Sequence, residues 1–124
     1  MKFLFLDVYN NELKTVEANG LDDYYELIGC RAIDIVHRKI GDIDVEIIID
    51  DEGALVEYPK VSAVDIVGNV ALFGNLLLAS SRVTVDGELT ELTQDEIDVI
   101  MENVMEVTTS VYKEPFKIFV EMDY

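Results

Sequence analysis

The sequence predicts an α+β domain: a small, mainly antiparallel sheet built from hairpins, with two helices packed on one face. Three observations carry that prediction. Strand-like segments come in pairs joined by turns of a few residues, and only two stretches repeat at helical spacing. The hairpins precede and follow the helices instead of alternating with them.

Residues 2–8 are apolar and aromatic, the composition of a strand. Tyr9-Asn10-Asn11-Glu12 is a turn signal, because Asn tolerates the left-handed backbone conformation. Residues 13–18 read as the returning strand of an opening hairpin, ended by Asn19-Gly20. Residues 21–28 read as a helix with Asp22 and Asp23 near its start, where the dipole favours an anion, and Gly29 placed to cap its end. Leu21, Tyr24, Tyr25 and Ile28 fall on one face and are expected in the core.

Residues 33–37 and 43–47 alternate apolar with polar, as strands with one buried face do, and Gly41-Asp42 joins them as a tight turn. Asp50-Asp51-Glu52-Gly53 turns the chain into residues 54–58, which Pro59 ends for want of an N–H. Residues 63–85 are the most apolar stretch. Gly68-Asn69 is echoed six residues later by Gly74-Asn75, and glycine within strand-like sequence marks a bulge or a close backbone approach. Asp86-Gly87 is a hairpin signal joining residues 82–85 to 88–92. Thr93-Gln94-Asp95-Glu96 matches a capping box. Ile97, Ile100, Met101, Val104 and Met105 then continue at helical spacing, predicting an amphipathic helix of about four turns. Glu114-Pro115 stops helix, and residues 116–122 alternate like a final strand.

The 124 residues fit a single domain, 1–124, with room for one core. A single cysteine, Cys30, excludes an internal disulfide and suits a reducing compartment. Asp7 interrupts the apolar N-terminus and no cleavage motif follows, so no signal peptide is expected. The longest apolar run, 70–79, is too short to span a membrane. These features point to a cytoplasmic protein with no membrane partner. Twenty-six acidic residues against nine basic ones give a net charge of −17. Phosphate binding needs Lys and Arg that release counterions, so direct nucleic-acid binding is not expected.

Several of these stretches resemble a bacterial and phage family known as domain of unknown function 3846. The residues that carry the resemblance are the N-terminal hairpin and Leu27-Ile28-Gly29 at a helix end. Ile47-Ile48-Ile49-Asp50-Asp51-Glu52-Gly53 leading to Pro59 comes next. Asp65-Ile66-Val67-Gly68-Asn69-Val70-Ala71-Leu72-Phe73 and Leu92-Thr93-Gln94-Asp95-Glu96-Ile97 complete it. It covers roughly residues 1–105. Lys60-Val61-Ser62 departs from the family pattern, and residues 108–124 look like a C-terminal extension carrying the final strand. The resemblance implies an origin in phages or other mobile elements and carries no active site across.

No set of residues spells out catalysis, and none calls for a cofactor. Cys30 and His37 are the only thiol and imidazole, seven residues apart across a turn, and read as a buried thiol and an ordinary strand histidine. Asp42, Asp44 and Glu46 recur at strand spacing, and Asp50-Asp51-Glu52 sit in a turn without EF-hand spacing, so no metal site is expected. Gly68-Asn69 and Gly74-Asn75 lack the lysine of a phosphate loop.

The distinctive feature is a run of acids without a cation. Between Arg82 and Lys113 no basic residue occurs, while Asp86, Glu88, Glu91, Asp95, Glu96, Asp98, Glu102 and Glu106 fall within that span. On the expected long helix, Asp95, Asp98, Glu102 and Glu106 would share one face, the last three roughly 6 Å apart along the axis, close to phosphate spacing. Two functions follow. The first is a non-enzymatic inhibitor whose acidic face occupies the basic groove of a nucleic-acid-handling host protein, such as a restriction enzyme or CRISPR effector. The second is a small-molecule or nucleotide binder, compatible with a homo-oligomer. Its pocket would lie at Gly68, Asn69, Gly74 and Asn75, with Arg31, Arg38, Lys39 or Arg82 as phosphate contacts. A plain interaction domain is the remaining alternative.

Overall fold

The computed structural model describes residues 1–52, 59–82 and 88–123. The expected strand at 54–58 and the Asp86-Gly87 turn lie outside them. The chain opens as expected, with β1 (Lys2–Asp7) and β2 (Glu12–Glu17) paired antiparallel, followed by α1 (Leu21–Ile28). Gly29 ends α1 in the left-handed conformation, φ 76°, and donates its N–H to the Tyr25 carbonyl. Tyr24 and Ile28 are buried, but Leu21, at the first turn, is exposed.

β3 (Ile33–Ile40) and β4 (Ile43–Asp50) form a hairpin across a two-residue turn at Gly41-Asp42. The apolar stretch that follows is three short strands: β5 (Val61–Val64), β6 (Val70–Phe73) and β7 (Leu76–Ser80). After α2 (Gln94–Met101) come β8 (Val104–Val107), β9 (Phe116–Phe119) and β10 (Met122–Asp123).

Two sheets result. The larger has strand order β10-β3-β4-β7-β1-β2 and is antiparallel throughout. The smaller has order β6-β5-β9-β8, with β5 and β9 parallel. The α+β class and the mainly antiparallel pairing are therefore as the sequence predicts.

The helices, however, lie on opposite faces of the larger sheet. Side chains alternate along each strand, so β1 sends Phe3 and Phe5 to one face and Leu4 and Leu6 to the other. Phe3, Phe5, Ile48, Leu77 and Ala79 pack under Tyr24 and Ile28 of α1. Leu4, Leu6, Ile47, Leu76 and Leu78 pack against the smaller sheet and against Ile97 and Ile100 of α2. Strands β1, β4 and β7 are apolar on both faces, so each face must be covered.

The segment beyond the resemblance, residues 108–123, packs into the fold. Phe116, Ile118, Phe119 and Met122 are buried, and β9 is an inner strand of the smaller sheet, flanked by β5 and β8.

Candidate functional site

α2 is fixed to the core from one side. Thr93 accepts the Glu96 N–H at 3.2 Å while Glu96 Oε1 accepts the Thr93 N–H at 2.9 Å, completing the capping box read from the sequence. The same carboxylate reaches further. Glu96 Oε2 accepts the Ser80 hydroxyl at 3.1 Å, and Arg82 Nη2 lies 3.3 Å from Oε1 while donating to the Glu91 carbonyl at 2.9 Å. Burial alone would raise the Glu96 pKa, but the Thr93 amide, the two hydroxyls and the Arg82 guanidinium together hold it below the usual carboxylate range.

The outer side of the segment is acidic. Asp95, Asp98 and Glu102 are exposed, and none makes an ion pair among the described residues. Asp98 accepts the Gln94 side-chain amide at 2.9 Å. Glu91 is exposed too, yet its Oε2 accepts the Lys2 N–H at 2.9 Å and so ties the loop to β1. Glu88 is exposed, and Asp86 lies outside the described residues.

The expected four-turn helix is a two-turn helix. α2 ends at Met101, and Glu102 closes it by donating its N–H to the Asp98 carbonyl at 3.2 Å. Asn103 then donates its side-chain amide to the Val99 carbonyl, while its own carbonyl accepts the Val120 N–H at 2.8 Å. That bond turns the chain into β8, which pairs with β9. Val104 and Val107 are β-branched and find a partly buried place against the core as a strand. Glu106 therefore does not extend the face of Asp98 and Glu102. In the strand register it stands opposite Lys117, a cation that lies eleven positions further along the chain.

The glycine-asparagine echo marks two turns. Gly68 (φ 92°) closes the β5–β6 hairpin, where Asp65 Oδ1 accepts the N–H groups of Val67 and Asn69 at 3.0 and 2.9 Å. Gly74 (φ 79°) turns β6 into β7 and donates its N–H to the Lys60 carbonyl. Asn75 is structural, since its Oδ1 accepts the Val8 N–H at 2.9 Å. The named cations do not converge there. Arg82 binds Glu96, Arg31 lies 3.6 Å from Glu52, and Arg38 donates to the His37 carbonyl. Lys39 lines a recess of about 360 Å³ shared with Asp42, Asp65, Glu121 and Asp123, surroundings unsuited to an anion.

A groove of about 420 Å³ beside this hairpin is lined by Pro59, Val61, Val70, Phe73, Val111 and Tyr112, among others, and is mainly apolar. Behind it Lys60 is only 7% exposed, with its amine 4.6 Å from the Tyr112 ring centre and 4.3 Å from that of Phe116. Burial lowers its pKa, which the charges of Glu114 and Asp7 partly offset. This amine on two aromatic faces has no signal in the sequence near Lys60, because both rings lie some fifty positions away.

His37 is exposed between two carboxylates. Its Nδ1 is 2.8 Å from Glu46 Oε1 and its Nε2 3.3 Å from Asp44 Oδ1. The hydrogen bond to Glu46, with the nearby Asp44, raises the pKa of the imidazole above its ordinary 6.5. Both ring nitrogens thus face carboxylates and not Cys30, whose thiol is pushed up in pKa by burial and by Asp50. Among the described residues no three metal-ligating side chains converge, and no helix is long and apolar enough to cross a membrane.

No curated protein and no solved structure matches the chain. Over residues 1–105 it matches one family, and by that match, which ends inside β8, the chain belongs to the family described as Domain of unknown function (DUF3846).

Proposed function

We propose that this is a binding protein without a catalytic role, whose acidic surface around α2 docks on a basic, nucleic-acid-handling host protein and excludes its nucleic acid. One observation carries the reading. Among the described residues Asp95, Asp98 and Glu102 stand exposed and free of ion pairs on the outer side of a helix whose inner side is locked by Glu96, Ile97 and Ile100. Charges held on a rigid element need little ordering on binding, and complementary fields speed encounter. A net charge of −17 suits a positively charged groove of the kind found in restriction enzymes and CRISPR effectors. The acidic face is shorter than a helix-long phosphate mimic, since Glu106 leaves it. The docking patch is accordingly Asp95, Asp98 and Glu102, since Glu91 is bound to β1 and the charge of Glu88 acts on Tyr24 of α1.

The test is capture from host lysate at low salt with nuclease present, followed by a salt step. Any captured protein is then assayed for nucleic-acid binding with and without the chain. The expected result is a basic protein that elutes with salt and loses nucleic acid to the wild type but not to the Asp95→Lys, Asp98→Lys, Glu102→Lys variant. Equal competition by that variant would remove this face from the reading.

The mainly apolar groove at Pro59, Val61, Val70 and Phe73 supports a second reading, a small-molecule binder. Its lining favours an apolar ligand over a nucleotide. A rise in melting temperature with apolar dyes but not with nucleotides is its expected signature.

A further inference from the structure

The mainly apolar groove beside the β5–β6 hairpin has a buried cation next to it. β5 and β6 supply Val61, Val70 and Phe73 to its walls, and the loop before β9 supplies Val111 and Tyr112. Among the described residues none that lines it is charged. Val70 and Val111 are at least half exposed, so apolar surface is left uncovered here. Pro59 and Val61, the chain neighbours of Lys60, both line the groove. Tyr112 is shared, since it walls the groove while its ring carries the Lys60 amine at 4.6 Å. The amine therefore lies within one aromatic side chain of the groove.

Lys60 is only 7% exposed. Among the described residues its amine makes no ion pair and no hydrogen bond, only the contacts with the Tyr112 and Phe116 rings. Ring faces attract an ammonium but do not accept its three N–H groups as an oxygen does. An ammonium taken out of water without an anion beside it is costly. Two carboxylates, Glu114 and Asp7, act on it from a distance and only partly offset its burial. Asp7 is moreover committed to Asn10, whose backbone N–H and side-chain amide it accepts at 3.1 and 2.7 Å. The amine calls for an anionic oxygen, and the groove next to it calls for an apolar chain.

Resting on the small-molecule reading of the groove, we propose that its ligand is a single-chain amphipathic carboxylate of the fatty-acid class. The chain lies against Val61, Val70, Phe73 and Val111, and the carboxylate accepts from the Lys60 amine. A groove of about 420 Å³ is within the range of small-ligand sites. Neighbouring classes fit less well. A nucleotide sets several phosphate charges against one amine. An alcohol leaves the ammonium without its counter-charge, and a quaternary amine adds like charge to it. A carboxylate supplies one charge and a charge-assisted hydrogen bond. The net charge of −17 opposes it only at long range, because physiological salt screens exposed charges beyond about 8 Å.

The test compares decanoate, decanol and decyltrimethylammonium, one chain with three head groups, by calorimetric titration of the full chain at physiological salt. Decanoate should bind roughly tenfold tighter than decanol, the worth of one charge-assisted hydrogen bond, and the quaternary amine should bind weakest. Lys60→Met should bring decanoate down to decanol while leaving decanol unchanged. Val70→Asp, at a half-exposed wall of the groove, should weaken both. In the wild type the Cε resonance of Lys60 should move with decanoate and not with decanol, a readout that needs no variant. Decanoate no tighter than decanol, a preference that survives Lys60→Met, or a Lys60 resonance that ignores decanoate would each overturn the carboxylate anchor, while decanol binding would keep the groove as a ligand site. If none of the three binds, the small-molecule reading falls with it.

Discussion

The inner and outer sides of residues 91–107 share one acidic sequence and differ in almost everything else. On the inner side, Glu96 is engaged by Thr93, Ser80 and Arg82, and Ile97 and Ile100 sit in the core. On the outer side, Asp95, Asp98 and Glu102 face solvent without an ion pair among the described residues. The contrast teaches that a carboxylate's role here follows from its side of the helix, not from its place in an acidic run. One side holds the fold, and the other is available to a partner.

The sharpest way to break the comparison is to truncate the inner side. Ile100 is fully buried, so Ile100→Ala should cost about 2–5 kcal/mol of unfolding free energy, read by urea denaturation. Phe119, equally buried on β9, should respond at the upper end of that range, although it lies beyond the family match.

Next in size is Glu96→Gln, which keeps the shape but removes the charge from a capped, partly buried group. It should cost about 1–2 kcal/mol at neutral pH. Because the folded pKa of Glu96 is depressed, its contribution is present above the ordinary carboxylate pKa and is lost as pH falls through the folded value. The difference between wild type and Glu96→Gln should therefore shrink in acid. A difference that stays constant down to strongly acid pH would show that the charge is not what the site uses.

The outer side should respond least to the same treatment. Asp98→Asn and Glu102→Gln should each change stability by no more than about 0.5 kcal/mol, while weakening capture of a basic partner. A large stability loss there would erase the distinction between the two sides.

His37 gives the smallest effect and an outside control, being an exposed group with acidic neighbours on both sides. Its folded pKa is raised, so its pairing with Glu46 and Asp44 stabilises the fold below its ordinary pKa of 6.5 and fades as pH rises through the folded value. Titration by NMR should place the imidazole above 6.5, and Glu46→Gln should lower it. An unchanged titration in that variant would assign the shift elsewhere.

Much of the fold is legible because it is local. The turns at residues 9–12 and 41–42, the Gly29 cap and the Thr93–Glu96 capping box each depend on residues within a few positions of one another. The sequence therefore determined the two hairpins, the two helices and the start of α2. It also carried, in Ile47-Ile48-Ile49 and Leu76-Leu77-Leu78, a sign that strands would be buried on both faces. An unbroken apolar run is what a doubly covered strand needs.

What the tertiary structure decided depends on residues far apart in the chain. Val104 and Met105 suit a helix by spacing and a strand by composition, and only the partner β9 resolves them. That pairing shortens α2, moves Glu106 opposite Lys117 and reduces the acidic face to Asp95, Asp98 and Glu102. The same holds for residues 116–119, which complete the smaller sheet only because β5 lies parallel to β9, while residues 122–123 close the edge of the larger sheet on β3. Helix spacing and strand spacing are both properties of a short window, whereas the side on which a carboxylate finds Ser80, Arg82 or open water is set by packing across the whole domain.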